Sequence, residues 1–205
     1  MADIKIDRSL FTRQLLAIPR NRDVAEKIVN EYVSNEVNEA RVDFLVELDK
    51  HEVTKEIKAG PDAANTSGLL GGVGNLFSFI GFGSNKEPIK VLKSLFMKKT
   101  GVTKVKLQSA SKGRFIVQTN IPSREEVFEK TPIPWEKGRS WLDGIEKGIS
   151  GLGKYRFGIP EAEVLKSRSR VALQGKKKLR SGNFRPTSYF TELYNRFLKR
   201  LYTKR

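Results

Sequence analysis

The residues able to do chemistry in this chain are few, and most of them are cations. His51 is the only histidine. A metal site or a proton shuttle needs partners at matching positions, and no second histidine exists to supply one. His51 is therefore read as a helix-end or interface residue. The run Lys176-Lys177-Lys178-Leu179-Arg180, with Arg168 and Arg170 close by, is the strongest electrostatic feature. Such a run neutralises phosphates and releases their counterions, or it docks on an acidic protein partner. The residues leave both open. Tyr189, Phe190 and Tyr194 follow, but their helical spacing suits a packed face better than base stacking.

A second cluster is Trp135-Glu136-Lys137-Gly138-Arg139-Ser140-Trp141. Two tryptophans flank a Gly-Arg-Ser turn, and Pro132 and Pro134 stiffen its entry. Tryptophan and arginine concentrate binding energy at interfaces, so Trp135, Arg139 and Trp141 are candidate subunit-interface residues. Core tryptophans beside a helix start are the other reading.

Several chemistries are excluded at this level. The chain has no cysteine, hence no disulfide framework, thiolate metal site or cysteine nucleophile. Serine-nucleophile signatures and the acidic spacing of a calcium loop are absent. Gly74 is followed by Asn75-Leu76 rather than Gly-Lys-Ser/Thr, so the glycines are not a phosphate loop. No helix-turn-helix, zinc-finger or RNA-recognition signature supports sequence-specific readout. The expectation is a protein that is not an enzyme, with no catalytic residue, metal or cofactor. Met1-Ala2-Asp3-Ile4-Lys5 lacks a signal peptide's basic start and apolar run. No apolar run is long enough to span a bilayer, so no membrane anchor is expected.

The segment Ser67–Gly83 needs its own account. It carries no charge and mixes glycines with Leu76, Phe77, Phe79, Ile80 and Phe82. Glycine loses more backbone entropy on ordering than any other residue, which weakens a helix or strand here. Yet the aromatic side chains are costly to leave in water. A membrane-inserting loop is one reading, though nothing nearby patterns as an anchor. The reading adopted is a glycine-hinged assembly loop, with Leu76, Phe77, Phe79, Ile80 and Phe82 as interface anchors.

The elements that position these residues follow from periodicity. Residues 1–20 read as an N-terminal arm. From Val24 to Leu48 apolar residues recur at helical spacing and predict one long amphipathic helix to about Lys50, with a continuation through Val53 and Ile57 before Gly60-Pro61. Pro88 opens a shorter helix. Val102–Leu107 and Phe115–Val117 read as two strands joined by a hairpin loop at 109–113. Ser123-Arg124-Glu125-Glu126 fits a capping box. Ser140–Lys147 reads as a short helix, residues 171–174 as a strand, and Thr187 as the cap of a terminal helix from Ser188 to Tyr202. The expected fold class is α+β. The expected organisation is an arm at 1–20, then one domain at 21–205 with the Gly/Phe-rich loop at 60–86 and a basic region at 161–205. That last region holds 13 Lys/Arg against 3 Asp/Glu, the largest share of a net charge of +16.

Together these features resemble the small neck or tail-completion proteins of tailed bacteriophages. The resemblance rests on Pro134-Trp135-Glu136-Lys137-Gly138-Arg139-Ser140, a Pro-x-x-x-Gly-Arg segment before a helix and strands. It also rests on Phe44–Ile57 followed by Asn75–Phe82. The glycine-rich insertion after the first helix departs from the simplest family pattern. The resemblance implies a non-enzymatic virion protein that assembles in the host cytoplasm into a homo-oligomeric ring at the head-to-tail junction. Its partners would be other neck, connector or tail proteins, with DNA in the channel as a further contact for Arg168, Arg170, Lys176, Lys177, Lys178 and Arg180. From a different class, a non-sequence-specific nucleic-acid-binding protein is the alternative.

Overall fold

Valine, alanine, phenylalanine and leucine at three- and four-residue intervals wind into α1 (Arg22–Lys50), burying Val29, Val33, Val37, Ala40, Phe44 and Leu48 along one side. The computed structural model describes residues 22–70, 74–109, 113–134, 138–148, 155–156, 173–174 and 186–203. Within them the fold is α+β, with a long N-terminal helix, a two-stranded antiparallel sheet, short helices and a C-terminal helix.

The first helix does not run on as one rod. His51 takes extended backbone angles (φ −68°, ψ 135°), and its Nδ1 accepts the Val53 N–H at 3.3 Å. That capping bond starts α2 (Glu52–Ala59), which Gly60 ends at a φ of 83°. The remaining elements are α3 (Leu76–Ile80), α4 (Pro88–Lys99), β1 (Gly101–Ser109), β2 (Arg114–Asn120), α5 (Arg124–Glu129), α6 (Trp141–Glu146), β3 (Tyr155–Arg156), β4 (Leu173–Gln174) and α7 (Phe190–Thr203). The helix within the glycine-rich stretch corrects the expectation of a loop there.

Local signals explain most boundaries. Ser123 Oγ accepts the Glu126 N–H at 3.1 Å and starts α5. Ser140 Oγ accepts the Leu142 N–H at 3.1 Å and starts α6. The terminal helix begins at Phe190, two residues beyond the expected Ser188. There the Glu146 carboxylate of α6 accepts both the backbone N–H and the hydroxyl of Thr191. An acidic group at a helix N-terminus satisfies orphan donors and complements the dipole.

The chain divides into two compact units. The first comprises the described residues among 1–45, 96–122 and 194–205. Its core is aromatic: the Phe44 ring lies 4.4 Å from Phe96 and 5.3 Å from Phe197, centroid to centroid. Arg41 donates to the Met97 and Thr100 carbonyls, each at 3.2 Å, satisfying the end of α4. Tyr194 donates its hydroxyl to the Pro122 carbonyl at 2.7 Å. The β1–β2 hairpin sets Val105 against Val117 and Leu107 against Phe115 on one face, and Lys104 against Gln118 and Lys106 against Ile116 on the other.

The second unit comprises the described residues among 46–95 and 123–193. Leu48, Ile57, Leu76, Phe77, Leu92, Trp141, Leu142, Ile145, Tyr189 and Phe190 are buried in it. No helix among the described residues is long and apolar enough to cross a membrane.

Candidate assembly and anion-binding surfaces

The Gly/Phe-rich segment is held by two buried polar side chains. Asn75 Nδ2 donates to the Pro61 carbonyl at 2.6 Å and the Ala63 carbonyl at 3.1 Å, while Oδ1 accepts the Ser78 N–H at 2.9 Å. Asn75 thus caps α3 and ties it to the chain before it. Glu56 is 1 % exposed, and its carboxylate accepts the N–H groups of Leu76 at 2.6 Å and Ser67 at 2.8 Å. One side chain on α2 therefore holds the segment at its start and at the first residue of α3. Gly81 closes α3 at φ 84°, ψ 32°, with Phe82 N–H donating to Phe77 O and Gly81 N–H to Ser78 O. This left-handed closure is a Schellman motif, which glycine adopts without strain.

With the backbone so fixed, the apolar side chains point inward. Leu76, Phe77, Ile80 and Phe82 are buried. The Phe77 and Phe82 rings lie 5.4 Å apart, and Phe82 meets Trp141 edge-on at 5.8 Å. Four of the five expected anchors, and Trp141, are therefore covered within their own unit, and their apolar surface needs no neighbour. Phe79 is half-buried and Arg139 is exposed. Trp135 lies outside the described residues.

The Gly-Arg-Ser turn is closed from within. Thr131 and Ser140 hydroxyls share a 2.7 Å hydrogen bond, Ile133 N–H donates to Arg139 O at 2.8 Å, and Trp141 N–H to Thr131 O at 2.9 Å. Gly138 takes a φ of 80° in this turn.

The expected electrostatic residues Arg168, Arg170, Lys176, Lys177, Lys178 and Arg180 lie outside the described residues. Sequence reasoning passed over a second cationic surface. Residues 101–122 hold Lys104, Lys106, Lys112 and Arg114 and no Asp or Glu. Strand alternation sends Lys104, Lys106 and Arg114 to solvent with Gln108 and Gln118. The signal is an acid-free stretch, less dense in cations than the C-terminal run. A two-stranded antiparallel ribbon with a cationic outer face is of a size to enter a duplex major groove. Its placement is fixed by Glu26 of α1, which accepts the Leu107 N–H at 2.8 Å. That bond, followed by the Arg22 side chain, holds the Glu26 carboxyl below the usual range.

The remaining buried polar groups serve the fold. Tyr189 shares a 2.6 Å hydrogen bond with the Thr54 hydroxyl, and its ring packs 4.6 Å from His51. Burial pushes the Tyr189 phenol far up, against the smaller opposing effect of the Thr54 bond. His51 thus acts at a helix end, as its isolation in the sequence indicated. Among the described residues no group of three or more His, Cys, Asp or Glu is placed to hold a metal ion. In comparisons with known proteins, no family model, no curated protein and no solved structure matches the chain.

Proposed function

We propose that the protein is a non-enzymatic structural subunit of a tailed-phage particle. It acts at the neck or head-to-tail junction, as part of a tail-completion or connector ring built from copies of itself. The motif resemblance at 134–140, 44–57 and 75–82 supports the family. The observation that carries the mechanism is the β1–β2 hairpin: exposed Lys104, Lys106 and Arg114 on one face, in a stretch without a single acid. Such a face fits a polyanion, either DNA passing through a ring or an acidic partner stacked on it. Among the described residues expected at the interface, Arg139 is exposed and Phe79 half-buried, and both have surface to offer a neighbour. The assembly is placed in the virion, formed in the host cytoplasm.

Light-scattering mass over a concentration series, with imaging of the particles, tests this reading. Closed rings of one stoichiometry are expected. A chain that stays monomeric at every concentration, alone and with DNA, overturns it. The same hairpin favours one other reading, a nucleic-acid-binding protein without sequence preference. That reading expects a monomer whose duplex affinity falls steeply with salt. Replacing Lys104, Lys106 and Arg114 by glutamate then lowers the log–log salt slope by about one per lost phosphate contact.

A further inference from the structure

The outer face of the β1–β2 hairpin is more specific in composition than its charge alone. Along β1, Lys104, Lys106 and Gln108 are exposed, and along β2, Arg114, Ile116 and Gln118. The register sets Lys104 opposite Gln118 and Lys106 opposite Ile116. These six side chains comprise three cations and two amides around one aliphatic group. Val105, Leu107, Phe115 and Val117 lie on the other face, where Val117 is 1 % exposed. Residues 96–122, one segment of the first unit, hold six Lys/Arg and no Asp or Glu. The Glu26 carboxylate, which feels the charge of Lys106, is already engaged by the Leu107 N–H at 2.8 Å and by Arg22 at 2.9 Å.

Three kinds of partner carry enough negative charge to meet such a face: an acidic protein, a single nucleic-acid strand and a duplex. The residue types separate them. Protein interfaces are enriched in aromatic residues and depleted in lysine, the reverse of this face. Single strands are held by bases stacked on aromatic side chains, and the hairpin's one aromatic residue, Phe115, is on the packed face. A duplex asks for cations at its phosphates and for amides or small apolar groups at its base edges. That is the set of side chains present. Dimensions then select the groove. Two strands about 4.8 Å apart, with their side chains, fill a B-form major groove about 12 Å wide and exceed a minor groove about 6 Å wide. From Lys104 to Gln108 the face runs about 14 Å, the length of about four base pairs at about 3.4 Å each. An A-form duplex has a deep, narrow major groove that side chains cannot read.

We propose that the outer face of the hairpin enters the major groove of B-form DNA, with Lys104, Lys106 and Arg114 on phosphates and Ile116 and Gln118 toward the base edges. This assignment rests on the polyanion reading above and narrows the partner from any polyanion to one form of duplex.

Fluorescence anisotropy with short labelled duplexes of one sequence, made as DNA and as RNA, tests it. The full-length chain carries Lys176→Gln, Lys177→Gln, Lys178→Gln and Arg180→Gln, so that the C-terminal run does not mask the hairpin. The DNA duplex is expected to bind at least about tenfold more tightly than the RNA duplex or either DNA strand alone. Adding Lys104→Gln, Lys106→Gln and Arg114→Gln, all at exposed positions, should lower the log–log salt slope by about 2.7. Ile116→Glu, which removes no cation, should weaken DNA binding at least about tenfold. The comparison of DNA with RNA needs no hairpin variant, so it stands even where a substitution disturbs the fold. Equal affinity for the two duplexes, or tighter binding to a single strand, overturns the proposal. Displacement of the DNA by polyglutamate at equal charge concentration also overturns it, by assigning the face to an acidic protein. An unaltered salt slope in the hairpin variant does the same. The ring reading fails separately. Rings without DNA affinity sink only the groove assignment, and DNA binding by a permanent monomer sinks only the ring.

Discussion

Replacing Glu56 by alanine should open the Gly/Phe-rich segment at both its ties. The carboxylate accepts two backbone N–H groups, from Leu76 at 2.6 Å and Ser67 at 2.8 Å, and is 1 % exposed. Alanine leaves both donors without an acceptor. An unsatisfied buried donor costs about 1–3 kcal/mol, and the Leu76 group is buried while the Ser67 group is partly open. The gain in helix propensity from alanine returns less than about 0.5 kcal/mol. A net loss of about 3–4 kcal/mol is expected. Glu56→Gln keeps one acceptor oxygen and turns an amide donor toward the other N–H, so about 2 kcal/mol is expected. Urea unfolding followed by tryptophan fluorescence measures both. Trp141 is 1 % exposed and packs against Phe82, inside the clamped segment. A Trp135→Phe background leaves it as the sole reporter. At a slope of about 2 kcal/mol per molar urea, Glu56→Ala should move the midpoint down by about 1.5–2 M. A shift worth less than about 0.5 kcal/mol would refute the clamp. The segment would then be held by its apolar contacts alone.

Four further outcomes are expected. Gly81→Ala forces an L-residue into the left-handed region at φ 84° and should cost about 1–2 kcal/mol. Gly101→Ala, which meets nothing within 4 Å and has an ordinary φ, should be near neutral in the same urea assay. Burial opposes ionisation of Asp49, but the Lys93 and Lys58 ammonium groups outweigh it and hold the carboxyl below its ordinary 3.8. Its stabilisation is therefore present above that value and lost as pH falls through the lower folded value, so Asp49→Asn should flatten the acid limb of a stability–pH curve. Tyr189 is shifted the other way, so its contribution is present below the ordinary phenol value of 10.0 and lost as pH rises toward the folded one. Tyr189→Phe should flatten the alkaline limb while costing about 1 kcal/mol at neutral pH, because the Thr54 hydroxyl loses its partner.

Elements whose cause is local were legible in the sequence. The period of α1, the strands of the hairpin, and the serine caps at Ser123 and Ser140 each rest on residues within a few positions of one another. The features that were not legible arise from long-range partners or from an unusual residue in a familiar role. The end of α1 near Lys50 was legible, but histidine is a rare helix cap, so the role of His51 in starting α2 was not. The start of α7 is set by Glu146, 45 residues away in the chain. Asn75 and Gly81 are standard cap residues around Leu76-Phe77-Ser78-Phe79-Ile80, and that short helix could have been read. The glycine count masked it, because an average over the segment penalises helix while the five residues between the caps contain no glycine. Glu56 offered no signal at all: an acid on an amphipathic helix is ordinarily solvated, and its burial follows from where the segment returns 11 and 20 residues later.

Burial of the glycine-rich segment moves the question of assembly to other surfaces. An uncharged, apolar, glycine-rich stretch must be covered by something, and the second unit covers it. Exposed apolar surface lies instead on the outer side of α1, at Ile28, Tyr32 and Val42, and exposed charge lies on the hairpin. The two surfaces call for different partners, since the first is apolar and the hairpin carries cations and no acid. If a polyanion is the partner, the hairpin is the principal docking face of the first unit. Assembly should then be sensitive to salt rather than to apolar substitutions in the glycine-rich segment. Phe79→Ser, at the one half-buried anchor, should leave the oligomer intact, whereas Lys106→Glu should dissolve it. The reverse pattern would return the assembly role to the glycine-rich segment.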